Sequence, residues 1–300
     1  MRITAFSYVR NGLAMGYPFL ESMQSVLPVV DEFVMVLGDS TDGSREAILN
    51  LNSSKVKIVD TVWDMSLKTG GKLFAQQSNL GLAEMTGDWV IHIQADEVLH
   101  ENDGPKLVQY IKTFDANPRV EALLFPFLNF RGDYHHIHTG RKAHRFEIRA
   151  FRKNNLIRAY KDSQGFRKFS SEDAYQQGEK GEKLRVVKID VPIFHYNFVR
   201  SPKQMKDKTI FFQKFFHDGE ELEKKVKELE SFDYNHVDKL ERFDGAHPKW
   251  MEPIIKQKDW EFTYDPSKAK ISLRHRVLNK IEEWTGYRIG EYKNYKLIKP

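Results

Sequence analysis

The 300-residue chain contains no cysteine. That absence excludes a disulfide scaffold and any zinc–thiolate site, and it fits a reducing cytoplasm better than an oxidising compartment. Long apolar runs are missing as well: none approaches the roughly 20 residues needed to cross a bilayer, and the mean hydropathy is −0.58. The opening residues, Met1 to Phe6, enter a strand-like pattern directly, without the charged region, apolar stretch and small-residue cleavage site of a secretory signal. The expectation is a cytoplasmic protein, with peripheral placement at the inner face of a membrane left open. Internal repeats are absent. Lysines and arginines are spread out rather than gathered on one face with stacking aromatics, so nucleic acid is not an expected partner. The stretch Tyr8-Val9-Arg10-Asn11-Gly12 is too thin for a triphosphate-holding glycine-rich loop, which counts against a nucleotidyltransferase.

What is present is enough to build a full core. Hydrophobic residues make up 40% of the chain and aromatics 13%, sufficient for one domain with an appendage. The formal charge of +5 suits an anionic partner, such as a nucleotide or a phospholipid surface, but is equally an incidental property of a soluble protein. Strand-like runs alternate with helical patterns through the first hundred residues, the signature of an α/β sheet with parallel strands. Strands are expected over 2–8, 32–37, 55–59 and 89–93, and helices over 17–27, from Arg45 and over 74–85. The run Glu32 to Leu37 is nearly all apolar and reads as a strand buried on both faces. Further strands are expected over 122–127, 147–151 and 184–189, around a basic, His-rich loop from Arg131 to Arg145. Beyond residue 200 the pattern turns to Lys/Glu-rich helices, over 202–216 and 219–229. The division is therefore 1–200 as the α/β unit and 201–300 as a helical C-terminal extension.

Chemistry collects where strands end. In an open parallel sheet the ligand crevice lies beyond the carboxyl ends of the strands, which brings the loops holding Asp39, Asp42 and Asp96 together. Asp96-Glu97 follows the apolar strand 89–93. One or two carboxylates are the usual protein share for a divalent cation whose other ligands are phosphates and water; the alternative is an acidic pair that caps a turn. Gly38 to Ser44 is a small, polar loop opening a helix, where Asp42 and Ser44 read as caps and Asp39 as a contact for a base or ribose. His195 is a second metal candidate, since imidazole is an acceptable ligand, against the plainer reading of a hydrogen-bonded histidine. Arg200 and Lys203, just past that histidine, are cations suited to an anionic group. For a general base the carboxylates Asp162 and Glu147 are candidates, with Glu172 and Asp173 competing, and Asp162 is equally explained as a turn residue. The histidines 135, 136, 138 and 144 lack a helical zinc-binding spacing and read as an acceptor-contacting loop.

Three stretches in order resemble family 2 glycosyltransferases: Thr4 to Asn11 with Glu21-Ser22; Asp31 to Ser44; and Ala83 to Glu97, with a further echo at Phe194 to Arg200. The resemblance implies a GT-A fold: a Rossmann-like, mostly parallel sheet flanked by helices. It implies a nucleotide-diphosphate sugar donor, Mn2+ or Mg2+ as cofactor, and transfer with inversion. Carried over residue by residue, Phe6 and Tyr8 would lie near the base, Asp39 on the nucleoside and Lys72 near the nucleotide. Asp96 matches the last carboxylate of the Asp-X-Asp metal motif, with Gln94 in place of its first Asp and Ala95 between them, and His195 would return to the phosphates. A glycan or lipid-linked acceptor in bacterial surface polysaccharide synthesis is the role implied. A non-catalytic sugar-nucleotide binder is the alternative that Gln94 keeps open.

Overall fold

The computed structural model describes residues 1–67, 71–160, 165–213, 219–228, 232, 234, 237–269 and 271–299. The N-terminal half lays down β1 (Ile3–Val9), α1 (Phe19–Val26), β2 (Glu32–Leu37), α2 (Ser44–Leu49), β3 (Val56–Asp60), α3 (Lys72–Ala83), β4 (Trp89–His92), β5 (Glu97–Leu99) and α4 (Gly104–Asp115). The second part adds β6 (Ala122–Arg131), β7 (His136–His138), β8 (Phe146–Arg152), β9 (Ile157–Ala159), β10 (Phe166–Lys168), α5 (Glu172–Gln176), β11 (Glu182–Lys183), β12 (Arg185–Lys188) and β13 (Ile193–Phe198). The last hundred residues contribute α6 (Pro202–Gln213), α7 (Gly219–Glu228), β14 (Leu240–Arg242), α8 (Glu252–Lys256), α9 (Leu273–Thr285) and β15 (Lys296–Leu297).

Among the described residues one twelve-stranded sheet organises the molecule, with the order β14-β7-β6-β8-β4-β1-β2-β3 along its main path. β1 is central and runs parallel to β2 on one side and β4 on the other. Because β1 to β3 wind one way and α3 then carries the chain back to β4, the topological switch point falls between β1 and β4, where a doubly wound sheet opens its crevice. All four residues of β4 and nearly all of β1 and β2 are buried, as their near-continuous apolar sequence requires of strands covered on both faces. The apolar residues Phe19, Met23 and Val26 of α1 pack into one layer, and those of α3 into the others.

The C-terminal segment is helical in α6, α7, α8 and α9, yet it also closes the sheet. β15 pairs in parallel with β12, and β14 pairs with β7. Met251, Trp250 and Trp260 join Phe130, Phe194 and Tyr196 in a third aromatic core. Among the described residues no helix is long and apolar enough to cross a membrane.

Candidate active site

The loop after β4 is held at three points. Ser22 of α1 donates from Oγ to the Gln94 carbonyl (2.8 Å), the Gln94 N–H donates to Glu97 Oε2 (3.1 Å), and the Asp96 carbonyl accepts from the Tyr196 N–H (2.8 Å). Ser22 is the motif residue whose purpose is now clear: it fixes the helix to the loop that carries the carboxylate. Glu97 turns inward to Arg149 of β8, so the two adjacent carboxylates do different work.

Asp96 faces a cavity lined by Tyr8, Arg10, Tyr17, Trp63, Phe74, Gln94, Ala95, Asn197, Lys208 and the neighbouring residues of α6. Burial opposes its ionisation, but the groups facing it, His195, Lys208 and Arg200, outweigh that and hold it below its ordinary value. His195 is the third residue of β13 rather than a strand-end residue; β13 pairs with β5 so that His195 lies opposite Glu97. This register brings its Nε2 to 3.7 Å from Asp96 Oδ1. The other ring nitrogen, Nδ1, lies 2.8 Å from Asn129 Oδ1. With that amide oxygen as acceptor, Nδ1 carries the proton and Nε2 presents its lone pair toward Asp96. Burial keeps the ring below its ordinary pKa, against the pull of Asp96 and Glu97, which favours the neutral, ligating form. A carboxylate and a neutral imidazole converging in this way fit a divalent cation that takes its remaining ligands from phosphates and water. Among the described residues no third His, Asp or Glu completes a cluster, and Gln94 adds no charge.

The cations around Asp96 differ from the expected pair. Arg200 is 2% exposed; it donates to the carbonyls of Met15 (2.9 Å) and Asn197 (2.5 Å) and lies over the Tyr17 ring at 4.6 Å, and among the described residues its Nη2 has no hydrogen-bond partner. Lys203 is exposed on α6. The ammonium that reaches the cavity is that of Lys208, one and a half turns further along; it is bound by the Asn197 side chain and by its carbonyl at 3.2 Å and sits 4.9 Å above Tyr17. The sequence holds no signal for Lys208, since only the packing of α6 across the sheet ends chooses it over its neighbours.

The remaining expectations separate. Tyr8 lines the cavity, but Phe6 does not: it is fully buried, stacked on His92 at 4.7 Å. Gly81 of α3 packs so closely that an added Cβ would lie 2.4 Å from the Phe6 ring. The ring is a core residue because that face of β1 meets α3. Asp39 is exposed and not among the residues lining the cavity; it pairs with Arg10 (2.8 Å) and accepts from the Trp63 N–H (3.1 Å), holding two residues that do line it. Neither Asp42 nor Ser44 caps α2, whose N-cap is Gly43 with no side-chain cap hydrogen bond; Asp42 accepts from the N–H groups of Ser44 (3.0 Å) and Ala14 (2.8 Å), and Ser44 Oγ accepts from the N–H of Leu13 (3.3 Å). Lys72 begins α3 and opens on a different cavity, toward Asn79, Tyr160 and Tyr175. Asp162 lies outside the described residues.

Glu147 is in the right neighbourhood. It lines a second cavity with Gln94, Glu97, Asn129, Arg149, His195 and Asn197, so the two cavities meet at Gln94 and Asn197. Its side chain is 19% exposed and 3.3 Å from His144 Nδ1. Burial raises its pKa above the ordinary carboxylate value, despite Arg149 and His144 nearby. Two more histidines of the basic loop meet carboxylates: His136 lies 2.8 Å from Asp133 and His138 lies 2.6 Å from Asp238.

The family model described as Glycosyl transferase family 2 matches residues 18–174, more than half of the chain, and the chain belongs to that family. With this, the α/β architecture is of the GT-A type and the chain is a glycosyltransferase. No curated protein matches it in sequence. Several solved structures resemble it. One is S. aureus TarS 1-349 in complex with UDP, at 15% identity over 76% of this chain and 70% of that one, TM-score 0.42. Another is the mannosyltransferase PcManGT from Pyrobaculum calidifontis in complex with GDP-Man and Mn2+, at 17% identity over 85% and 68%, TM-score 0.42. A third is glucosyl-3-phosphoglycerate synthase from Mycobacterium tuberculosis with Mn2+, UDP-glucose and phosphoglyceric acid, at 18% identity over 44% and 45%, TM-score 0.30.

Proposed function

We propose that the chain moves a sugar from a nucleotide-diphosphate donor, bound at Asp96, to a hydroxyl of a glycan or lipid-linked acceptor bound beside Glu147, with inversion at the anomeric carbon. The observation that carries this reading is the meeting of the two cavities at Gln94 and Asn197, with the cation-ringed Asp96 on one side and a carboxylate of raised pKa on the other. Tyr8, Trp63 and Phe74 offer aromatic faces for a base. Lys208 and the unpartnered Nη2 of Arg200 supply positive charge for the diphosphate, which leaves with developing negative charge. Asp96 and His195 would hold Mn2+ or Mg2+, which when bound neutralises the same leaving group.

In a single displacement Glu147 takes the proton of the acceptor hydroxyl as its oxygen bonds to the anomeric carbon. The bond from that carbon to the diphosphate oxygen breaks, and the electron pair leaves with the nucleoside diphosphate. Bacterial surface polysaccharide synthesis on the cytoplasmic side is the setting this chemistry serves. The test is a thermal-shift screen of UDP-, GDP-, CMP- and dTDP-sugars with and without Mn2+ on wild type and Asp96→Ala, because a ligand of the folded state raises its apparent stability. A nucleotide-specific shift lost in Asp96→Ala supports the reading. No shift with any donor sinks it, and a product that keeps the donor's anomeric configuration would sink the inverting step alone.

A further inference from the structure

The acceptor-side cavity does not end at Glu147. Through His144, Phe146, Tyr292 and Tyr295 it joins another cavity, lined by Arg141, Lys142, Arg145, Arg274, His275 and Arg288 among others. One wall of that basic cavity is the inner face of α9, anchored by Glu282, which accepts from Arg288 (2.8 Å) and Arg141 (2.9 Å). At 100° per residue, Leu273, Val277, Ile281 and Trp284 fall on the opposite side of the helix. Leu273 is 78% exposed, Val277 53% and Trp284 93%. Among the described residues, packing does not explain an apolar stripe ending in a fully presented indole, and it differs from the singly scattered apolar residues of ordinary surfaces. Arg276 and Lys280 flank it on one side and Arg274 on the other. Residues 271–299 hold seven lysines and arginines against three glutamates, which accounts for most of the chain's net charge of +5.

We propose that α9 docks the enzyme on an anionic lipid bilayer, lying in the interface with Leu273, Val277 and Trp284 inserted and its arginines and lysine among the headgroups. The charge of the flanks selects an anionic lipid surface over a neutral protein groove, and an indole at one end of such a stripe suits the boundary between acyl chains and headgroups. The basic cavity then opens beside the bilayer, so that a phosphate-bearing lipid-linked acceptor reaches Glu147 without leaving it. That last step rests on the acceptor reading above; the docking itself does not.

The test is co-sedimentation of the full chain with vesicles of phosphatidylcholine alone and of phosphatidylcholine with phosphatidylglycerol, at low and high salt. Binding is expected to the anionic vesicles, weakened by salt. It should fall about tenfold in Val277→Glu/Trp284→Glu, and lose its anion preference in Arg274→Gln/Arg276→Gln/Lys280→Gln. All these side chains except Arg274 lie off the described cavities, and donor-induced thermal shifts should be unchanged in the Val277/Trp284 variant, which separates docking from folding and from donor binding. Absence of binding to anionic vesicles, equal binding by wild type and the Val277/Trp284 variant, or a dimer in light scattering that this variant disperses would overturn the proposal. Vesicle binding without any nucleotide shift would leave docking standing and remove the transferase assignment instead.

Discussion

Glu97 and Arg149 form a buried, two-pronged ion pair, Oε1 2.5 Å from Nη2 and Oε2 2.6 Å from Nε, with side-chain exposures of 0% and 4%. Since Oε2 also accepts from the Gln94 N–H, the pair ties β8 to the loop that presents Asp96. Removing one member strands the other charge in the interior. Arg149→Met is expected to cost about 3–5 kcal/mol, read as a lowered midpoint in denaturant unfolding. Unfolding at the wild-type midpoint would show that the pair contributes no net stability.

With Glu147 as the proposed base, its raised pKa would set the acid limb of activity. The base form must be present for transfer, so kcat/KM should rise with pH through a value above that of an exposed glutamate. The sign for stability is opposite. A carboxyl whose folded pKa is raised is penalised once pH climbs past its unfolded value, and the penalty is complete above the folded one. Glu147→Gln is therefore expected to abolish transfer and keep donor binding, and to be at least as stable as wild type at neutral pH. Retention of transfer would return the base to another carboxylate, Asp162 included.

Lys208 carries its charge at a cost. Burial, with Arg200 nearby, pushes its pKa well below the ordinary lysine value, and Asp96 offsets this only in part. Removing a group whose charged form is penalised by burial relieves that penalty in the folded state. For Lys208→Met we expect an unchanged or higher unfolding temperature without ligand, together with at least about tenfold weaker binding of the nucleoside diphosphate product, a difference of roughly 1.4 kcal/mol. Calorimetric titration of UDP and GDP checks it; unchanged affinity for both would remove Lys208 from the donor site.

Asp238 secures the turn at Gly140. It accepts from His138 (2.6 Å) and the Arg141 N–H (2.6 Å), and an added Cβ on Gly140 would lie 2.0 Å from its carboxylate. Burial raises its pKa, but these partners bring it down to about 2. A depressed carboxyl contributes stability that is present above its unfolded pKa and fades as pH falls to the folded value. Asp238→Asn should destabilise the chain by about 1–3 kcal/mol at pH 7, with the gap to wild type closing as pH approaches 2. A gap independent of pH would mean that the carboxylate charge is not what holds the turn.

Parts of this were open to reading from residues alone. The bounds of β2, Glu32–Leu37, follow from a continuous apolar run between polar loops. The loop that carries Asp96 stood out because it ends a buried strand in which His92 is the one polar residue. Phe6 was misplaced because a strand buried on both faces gives no alternation from which to tell crevice from core. Lys72 and Lys203 are the cations that position along the chain suggests, but helix orientation sends Lys72 to another cavity and leaves Lys203 in solvent, while Lys208 points inward.

By itself, then, the order of apolar runs and polar loops determined the α/β architecture and the loop bearing Asp96, since local periodicity and strand ends are written in neighbouring residues. Tertiary structure alone decided that His195 meets Asp96, that Glu97 is taken by Arg149, and that Lys208 lines the cavity that Asp96 faces. Each of these depends on register or packing between segments far apart in the chain, and such contacts leave no mark in the local pattern of either partner.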